Sequence, residues 1–564
     1  MCPRMRPAVM PPQANRQLVR DEQIARLESE TFDIAVIGGG INGAAIARDA
    51  AMRGLRVALI DKGDFAGATS SRSSKLIHGG LRYLPQGRPG LVYAALRERE
   101  RLRHVSAPHL VHPIRFLFPF YRGRQPGRLA VSAGLMLYDF LAWMPRAERH
   151  QRLGNPAVHA LEPSLKEDGL NGGALYYDAW ADDARLTLEN ALDAACHGAA
   201  VANYVALEGF SRAGQRIGAA AVRDMVGGGT LELRARIFVN AAGPWVDDVR
   251  RMDDPAAETQ VRLTKGVHLV IHASRLPAQN ALVLGDDEGR IIFVLPRDSY
   301  VTIGTTDTDF DGDRDKIVAD DSDISYLLGV VTQSMPELKL REDDIAYSFA
   351  GLRALIATAG LAPSAVSREE IILESSSELF SVAGGKLTTH RAIAQKLVDR
   401  VMKKLGCPVG KCPTLEIPLP GARPSGEGAS SMNGLEPEAF GILVRRYGTR
   451  AEIVARIACS EAELAQPLAP GCPAIGAEVV YAVRNEFALS VSDFIVRRTA
   501  LVWRAPAEAV AAAPAVARIM AAELGWDRAG QQAQLDAFLR IPGVSRGDAS
   551  GASTKQRVNR EALR

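Results

Sequence analysis

The chain has 564 residues, 47% of them hydrophobic and 24% charged, with a net charge of +3 at pH 7. That length exceeds one ordinary hydrophobic core, so two or three domains are expected. The near-neutral balance gives no basis for nucleic-acid binding, and no run of 18 apolar residues is available to span a membrane as a helix.

Residues 1–30 carry prolines and charges but no apolar h-region, so they read as a disordered tail and not as a signal peptide. The informative stretch follows. Asp33 to Ile37 is an apolar run suited to a buried parallel strand. Gly38, Gly40 and Gly43 then give the spacing G-x-G-x-x-G: a tight turn, room for a pyrophosphate against backbone, and close helix–strand packing. A helix from about Ile41 to Arg53 points its free N–H groups at the phosphates. Its inner side carries Ala44, Ala45, Ile46 and Ala47, and Gly54 ends it. Arg56 to Ile60 is the second strand. Asp61 stands 18 positions beyond Gly43, near the spacing of a ribose 2′-OH partner. A 2′-phosphate would be repelled there, which disfavours NADP. The motif by itself leaves NAD and FAD both open.

A polar loop continues from Gly63 and ends in His-Gly-Gly-x-Arg-Tyr, placing His78, Arg82 and Tyr83 together after the nucleotide motif. His104, His109 and His112 lie in a proline-broken stretch without the helical pairing a metal site shows, so no metal is expected. Six scattered cysteines form no C-x-x-C pair and read as reduced thiols. Between Gly123 and Arg149, Leu129, Met136, Leu137, Phe140, Leu141, Trp143 and Met144 lie between clusters of arginine. Such a segment suits either a core helix or one lying in lipid headgroups.

Ile237 to Asn240 is a further buried strand and leads into the small-residue turn Asn240 to Trp245, which contains Gly243. Val267–Ile271, Ile291–Leu295 and Tyr300–Gly304 suggest an inserted antiparallel sheet, mainly over about 262–345. Leu379 to Lys386 returns to the nucleotide domain as strand and glycine turn. An amphipathic helix follows, with Ala392, Ala394, Leu397, Val398 and Val401 inward and Thr388 or Thr389 as its cap. Residues 31–415 are thus one unit, 416–435 a Ser/Gly/Pro-rich linker, 436–540 a helical domain and 541–564 a disordered tail.

These residues carry a family resemblance. GGGINGAAIARDAAMRGLRVALIDKGDFAGATSSRSSKLIHGGLRYL resembles the N-terminus of FAD-dependent, respiratory glycerol-3-phosphate dehydrogenases. The likeness continues through YYDAWADDARLTLENA, VNAAGPWVDD, RLTKGVHLVI, TIGTTDTDFDGD, AGLRAL and GGKLTTHR. It runs more thinly through RYGTRAEI and NEFALSVSDFIVRRT. It implies an α/β fold: a glutathione-reductase-type FAD-binding Rossmann domain, an inserted antiparallel-sheet substrate domain and a C-terminal helical cap.

The resemblance also implies an activity. sn-Glycerol 3-phosphate is oxidised to dihydroxyacetone phosphate by hydride transfer to flavin N5, and the electrons pass to a membrane quinone. FAD is expected to be non-covalent and held by Gly38, Gly40, Gly43 and Asp61, with Thr69, Ser70, Ser71, Gly243, Gly385 and Thr388 around it. His78, Arg82 and Lys386 are the implied catalytic groups, and Tyr83, His268, Arg353 and Arg368 the implied substrate contacts. Guanidinium forks suit a phosphate ester, which makes Arg353 and Arg368 the expected clamp. Either His78 or Lys386 can serve as the base. Three positions depart from the family: Ala45, often Gly; Val267, often Ser and a possible influence on the pocket; and His390, often Tyr. The expected location is the inner face of the cytoplasmic membrane, peripherally bound, and the reading allows a homodimer. The alternatives are a glycerol-3-phosphate oxidase using oxygen, an amine or hydroxy-acid oxidase of the same superfamily, and a flavin-binding sensor without turnover.

Overall fold

The computed structural model describes residues 20–84, 87–123, 127–142, 148–286, 288–357, 369–422 and 435–544. Two sheets organise it. The first has a parallel centre in the order Leu379–Gly384, Thr230–Asn240, Thr31–Ile37, Val57–Ile60 and Ala200–Ala202. Glu370–Glu374 adds an antiparallel edge strand, and the antiparallel pair Val205–Ala213 and Arg216–Asp224 extends from Thr230–Asn240.

The apolar run Thr31–Ile37 is continuous because both of its faces are covered. Successive side chains alternate between the faces. Ile34 and Val36 pack with the helices Ile41–Met52, Asp183–Cys196 and His390–Lys404, whereas Ala35 and Ile37 pack with the antiparallel strands on the other side. In the helix His390–Lys404, Ile393 is fully buried alongside Ala394, Leu397, Val398 and Val401, while Ala392 is only half-buried. Neither threonine caps it by side chain. Thr389 occupies the cap position without a cap bond, and the Thr388 hydroxyl instead pairs with the backbone of His78.

The second sheet has ten strands and stands over the C-terminal ends of the first. The expected insert of about 262–345 supplies Val261–His272, Ala281–Gly285, Ile291–Arg297, Tyr300–Gly304 and Thr308–Asp309. Ile345–Ile356 closes that group by a long antiparallel pairing with Val261–His272. Leu76–Ile77, Val111–Tyr121, Gln151–Leu153 and Leu170–Ala181 come from earlier in the chain, so the sheet is wider than that insert. These segments lack clean alternation because both faces are packed. Leu269 and Ile271 face the helix Asp321–Ser334, and Val270 faces the C-terminal helices.

Helices Pro437–Tyr447, Ala451–Ser460, Gly476–Glu486, Pro506–Leu524 and Arg528–Leu539 form the third body. Buried ion pairs fasten it to the rest. Arg185 donates to both Glu486 oxygens at 2.7 and 2.5 Å, and Arg498 donates to Asp64 at 2.6 and 2.9 Å. The Asp64 carboxyl stays ionised, at about 2: burial opposes ionisation, but Arg498 and Arg497 outweigh it.

The chain ends differ from expectation. Residues 20–29 form the helix Arg20–Ser29, not a disordered tail. Leu27 is fully buried, Arg26 donates to the Gly198 and Ala199 carbonyls, and Arg20 pairs with Asp224 at 2.6 Å. At the other end Val544 joins the helical core, so 541–544 belong to the domain. Leu419 and Gly421, at the start of the expected linker, pack against the body; Gly421 sits against His109 and Tyr447. Residues 1–19, 423–434 and 545–564 lie outside the described residues.

Candidate active site

One elongated cavity of about 1660 Å³ runs between the two sheets. Its first end is made of backbone. Gly38 has φ +106°, and a Cβ there would lie 2.6 Å from the Ala241 carbonyl. A Cβ on Gly43 would lie 1.8 Å from the Gly38 oxygen, so helix and strand could not meet as they do. Gly43 accordingly packs behind the cavity instead of lining it. At Gly40 the nearest atom to a Cβ is Ser70 Oγ at 3.2 Å, and the remaining space opens to the cavity. The Ile41 N–H, first of the helix, donates to Ser70 Oγ at 2.9 Å.

Asp61 closes this end. Its carboxylate accepts from the Gly39 and Gly63 amides at 2.6 and 2.8 Å. Burial raises its carboxyl to about 6, against those two amides, which favour the anion. Thr69 lines the cavity while its hydroxyl donates to the Leu352 carbonyl at 2.7 Å. Ser71 is turned to the Ala68 carbonyl and lies off the lining. Gly243 and Gly385 line the middle. Asn42 lines it too, and its buried Oδ1 has no protein hydrogen-bond partner. A glycine cradle, an acid at its edge and an orphaned amide oxygen fit a dinucleotide lying along this cavity.

The far end gathers side chains from distant segments. His78, Tyr83, His268, Arg353, Lys386 and Thr388 all line it. The His78 backbone is fixed by the Thr388 hydroxyl, which accepts from its N–H at 3.1 Å and faces its carbonyl at 3.2 Å. Lys386 Nζ lies 3.9 Å from the centroid of the buried Tyr83 ring. Arg353 donates to the Thr305 hydroxyl at 2.9 Å, the Thr306 carbonyl at 3.1 Å and Asp307 at 3.1 Å, which aims the guanidinium across Gly266.

His268 stacks on Phe349 with centroids 4.7 Å apart, and its Nε2 pairs with Ser74 Oγ at 2.9 Å. Burial, then Arg353 and Lys75, hold this imidazole well below 6.5, so it is neutral at pH 7. Arg82's side chain and the whole of Arg368 lie outside the described residues.

Two family departures are not themselves lining residues of the cavity. Val267 is fully buried among Leu269, Ile303 and Leu352, and its N–H donates to the hydroxyl of the lining residue Thr306 at 3.0 Å. His390 is buried, bonded to the Leu387 carbonyl at 2.7 Å, and held by burial at about 4.

The sequence reading passed over several lining residues. Arg72 and Ser74 sit within the quoted polar loop, and a cation directly after a nucleotide motif is the signal that could have marked Arg72. Asp178 and Arg497 reach the lining from a strand and from the helical domain. No local pattern announces either of them. His109, considered for metal, bonds Glu189 at 3.2 Å.

Comparison with known proteins agrees with this geometry. The FAD dependent oxidoreductase family matches residues 33–400, and the C-terminal domain of alpha-glycerophosphate oxidase matches 412–531. The aerobic glycerol-3-phosphate dehydrogenase of Staphylococcus saprophyticus is 36% identical, covering 91% of this chain and 95% of its own length. That of Staphylococcus aureus strain USA300 is also 36% identical, over 91% and 94%. Among solved structures, the FAD complex of the Bacillus halodurans glycerol-3-phosphate dehydrogenase aligns with a TM-score of 0.79 at 30% identity, over 95% of this chain and 99% of that one. The L-alpha-glycerophosphate oxidase of Mycoplasma pneumoniae shares the fold at a TM-score of 0.54 and 20% identity, over 69% and 99%. The chain is an FAD-dependent oxidoreductase and belongs to the aerobic glycerol-3-phosphate dehydrogenase family.

Proposed function

We propose that this enzyme oxidises sn-glycerol 3-phosphate to dihydroxyacetone phosphate and passes the electrons to a quinone of the cytoplasmic membrane. The carrying observation is the far end of the cavity, where His78, Lys386 and Arg353 face one space that continues into the nucleotide cradle. FAD, bound without a covalent link, supplies the hydride acceptor. Arg353 grips the phosphate through a guanidinium already oriented by Thr305 and Asp307. Arg368 and Arg82 keep their sequence-based roles as second phosphate contact and catalytic group. His78 or Lys386 takes the proton from the substrate hydroxyl. Loss of the residue that acts as the base should cost about 10²–10⁴-fold in kcat, so a His78→Gln variant that keeps its turnover gives the role to Lys386.

Membrane location is supported by the helix Arg128–Ala142. Leu129, Met136, Leu137 and Phe140 are exposed on it, Leu129 at 82% and Phe140 at 72%. Exposed Arg122, Arg128 and Arg152 lie beside it in the sequence and suit anionic headgroups. An apolar arm of the cavity, lined by Leu81, Phe116, Phe118, Val131, Gly134 and Phe293, leads from the site toward this helix. It offers a quinone ring a path from lipid. Among the described residues no helix is long and apolar enough to cross a membrane, so the contact proposed is peripheral. Trp143 and Met144 lie outside the described residues.

Anaerobic titration with glycerol 3-phosphate tests the reading: the flavin absorbance should bleach and return on adding a soluble quinone. No bleaching would refute the substrate. The match to an alpha-glycerophosphate oxidase domain favours one second reading, an oxidase. Stoichiometric peroxide with no quinone reduction would select it.

A further inference from the structure

Two glycines floor the second sheet where it meets the substrate end. Gly266 of Val261–His272 and Gly351 of Ile345–Ile356 stand opposite each other in the antiparallel ladder. A Cβ on Gly266 would lie 2.7 Å from the Arg353 guanidinium carbon. A Cβ on Gly351 would lie 2.8 Å from the Cβ of Arg72. Side chains directly opposite across such a ladder share a face and start about 5 Å apart. Arg353 and Arg72 therefore lie side by side over one floor, which stays open only because both side chains are missing from it. His268 and Phe349, the next pair along the ladder, stack on the same face. Arg72 and Arg353 line the same cavity.

Arg72 differs from the cations around it. Arg353 is tied to Thr305, Thr306 and Asp307. Lys62 pairs with Asp315 at 3.0 Å, Arg497 with Asp64 and Asp493, and Arg498 with Asp64 at 2.6 Å. Among the described residues no carboxylate lies within ion-pair distance of Arg72. Its side chain donates from Nη1 to the Ala350 carbonyl alone, and that bond is long at 3.5 Å. A guanidinium offers five N–H donors in a planar fork, so most of this fork is unspent. Burial pushes its pKa down and Arg497 adds to that, against Tyr347 and Asp315. An enclosed cation without a counter-ion is costly, and an anion bound beside it removes the cost.

We propose that Arg72 binds the phosphate dianion of the substrate, as a second open fork beside Arg353. The inference rests on the glycerol 3-phosphate reading given above. A pyrophosphate offers the same oxyanion chemistry, but its cradle of amides belongs to the first sheet, at Gly38 to Ile41. Arg72 instead shares its floor with the arginine at the substrate end. Two guanidinium planes suit a dianion better than one, because each can pair with separate phosphate oxygens.

The test uses the FAD-loaded full chain with a water-soluble dye as acceptor. Arg72→Gln removes the charge. Its KM for glycerol 3-phosphate should rise roughly ten- to a hundredfold, more than kcat falls, while its KM for glycerol stays at the wild-type value. Inorganic phosphate carries the dianion without the carbon chain. It should inhibit wild type competitively, and Arg72→Gln only at correspondingly higher concentration. Arg72→Lys restores the charge but not the fork, so its KM should fall between the two. In wild type, amide hydrogen exchange over residues 69–75 should slow on adding phosphate, a readout that needs no variant. Wild-type flavin that glycerol 3-phosphate does not bleach removes the substrate reading and this inference together. With bleaching intact, an unchanged ratio of the two KM values in Arg72→Gln, or exchange at 69–75 that ignores phosphate, overturns the inference alone. Lost flavin with that ratio unchanged does so too, and gives Arg72 to the pyrophosphate of the cofactor.

Discussion

The two ends of the cavity are built by different means. At the nucleotide end the working groups are backbone amides and missing side chains, supplied by one contiguous segment from Gly38 to Ser70. At the substrate end they are side chains, and His78, His268, Arg353 and Lys386 come from four separate segments of two sheets. The first kind of site is encoded by spacing, because a Cβ in the wrong place blocks it. The second exists only after the sheets have come together.

The sharpest way to break the first end is Gly43→Val. The added Cβ meets a backbone oxygen at 1.8 Å, and backbone cannot rotate aside as a side chain can. Strand and helix must part, at a cost of about 3 kcal/mol or more. The variant should purify with little flavin and a lowered denaturant midpoint. Full flavin content would mean that the cradle tolerates separation of its two elements.

At the substrate end a comparable change should spare the cofactor. Arg353→Ala removes charge-assisted donors worth about 1.5–3 kcal/mol, or roughly ten- to a hundredfold in apparent affinity. It also leaves the Asp307 carboxylate without that guanidinium beside the phosphate site, which pushes the effect toward the upper end. Flavin content should stay at the wild-type level. The ratio of KM for glycerol 3-phosphate to KM for glycerol checks the assignment, because only the first carries the dianion. An equal rise in both values would make Arg353 a structural residue of the Val261–His272 and Ile345–Ile356 pair.

This division explains what the sequence makes legible. The strand, turn, helix, strand and acid from Asp33 to Asp61 match the structure almost residue by residue, because local periodicity and glycine spacing carry them. The helical domain was readable for the same reason. The ten-stranded sheet was only partly legible. Val111–Tyr121 and Leu170–Ala181 are buried on both faces in much of their length, so no alternation marks them as partners of a sheet centred 100 residues later. The helix Arg20–Ser29 was hidden by its polarity, since Leu27 is its one fully buried apolar anchor and ion pairs to Asp224 and Glu30 do much of the rest. Tyr138, Asp178 and Arg99 form one buried group from two helices and a strand, and nothing local points from one to another.

Asp61 titrates at the nucleotide end, and it sharpens the comparison with the smallest expected effect. Burial raises the Asp61 carboxyl to about 6 before any ligand binds. A ribose hydroxyl needs the anion as acceptor, so binding FAD should favour the ionised form and lower that value. Binding then releases a proton below about pH 6 and none well above it. The sign follows: affinity for FAD falls as pH drops through 6, by up to about tenfold per pH unit, and is flat from pH 7 upward. Titrating apoprotein with FAD by flavin fluorescence between pH 5 and 8 measures this. Asp61→Asn should flatten the curve, since an amide carries no proton to release, and should weaken binding at pH 7. A slope that persists in Asp61→Asn would assign the proton to another group. A flat wild-type curve would mean that the Gly39 and Gly63 amides, and not the ribose, are what this carboxylate serves.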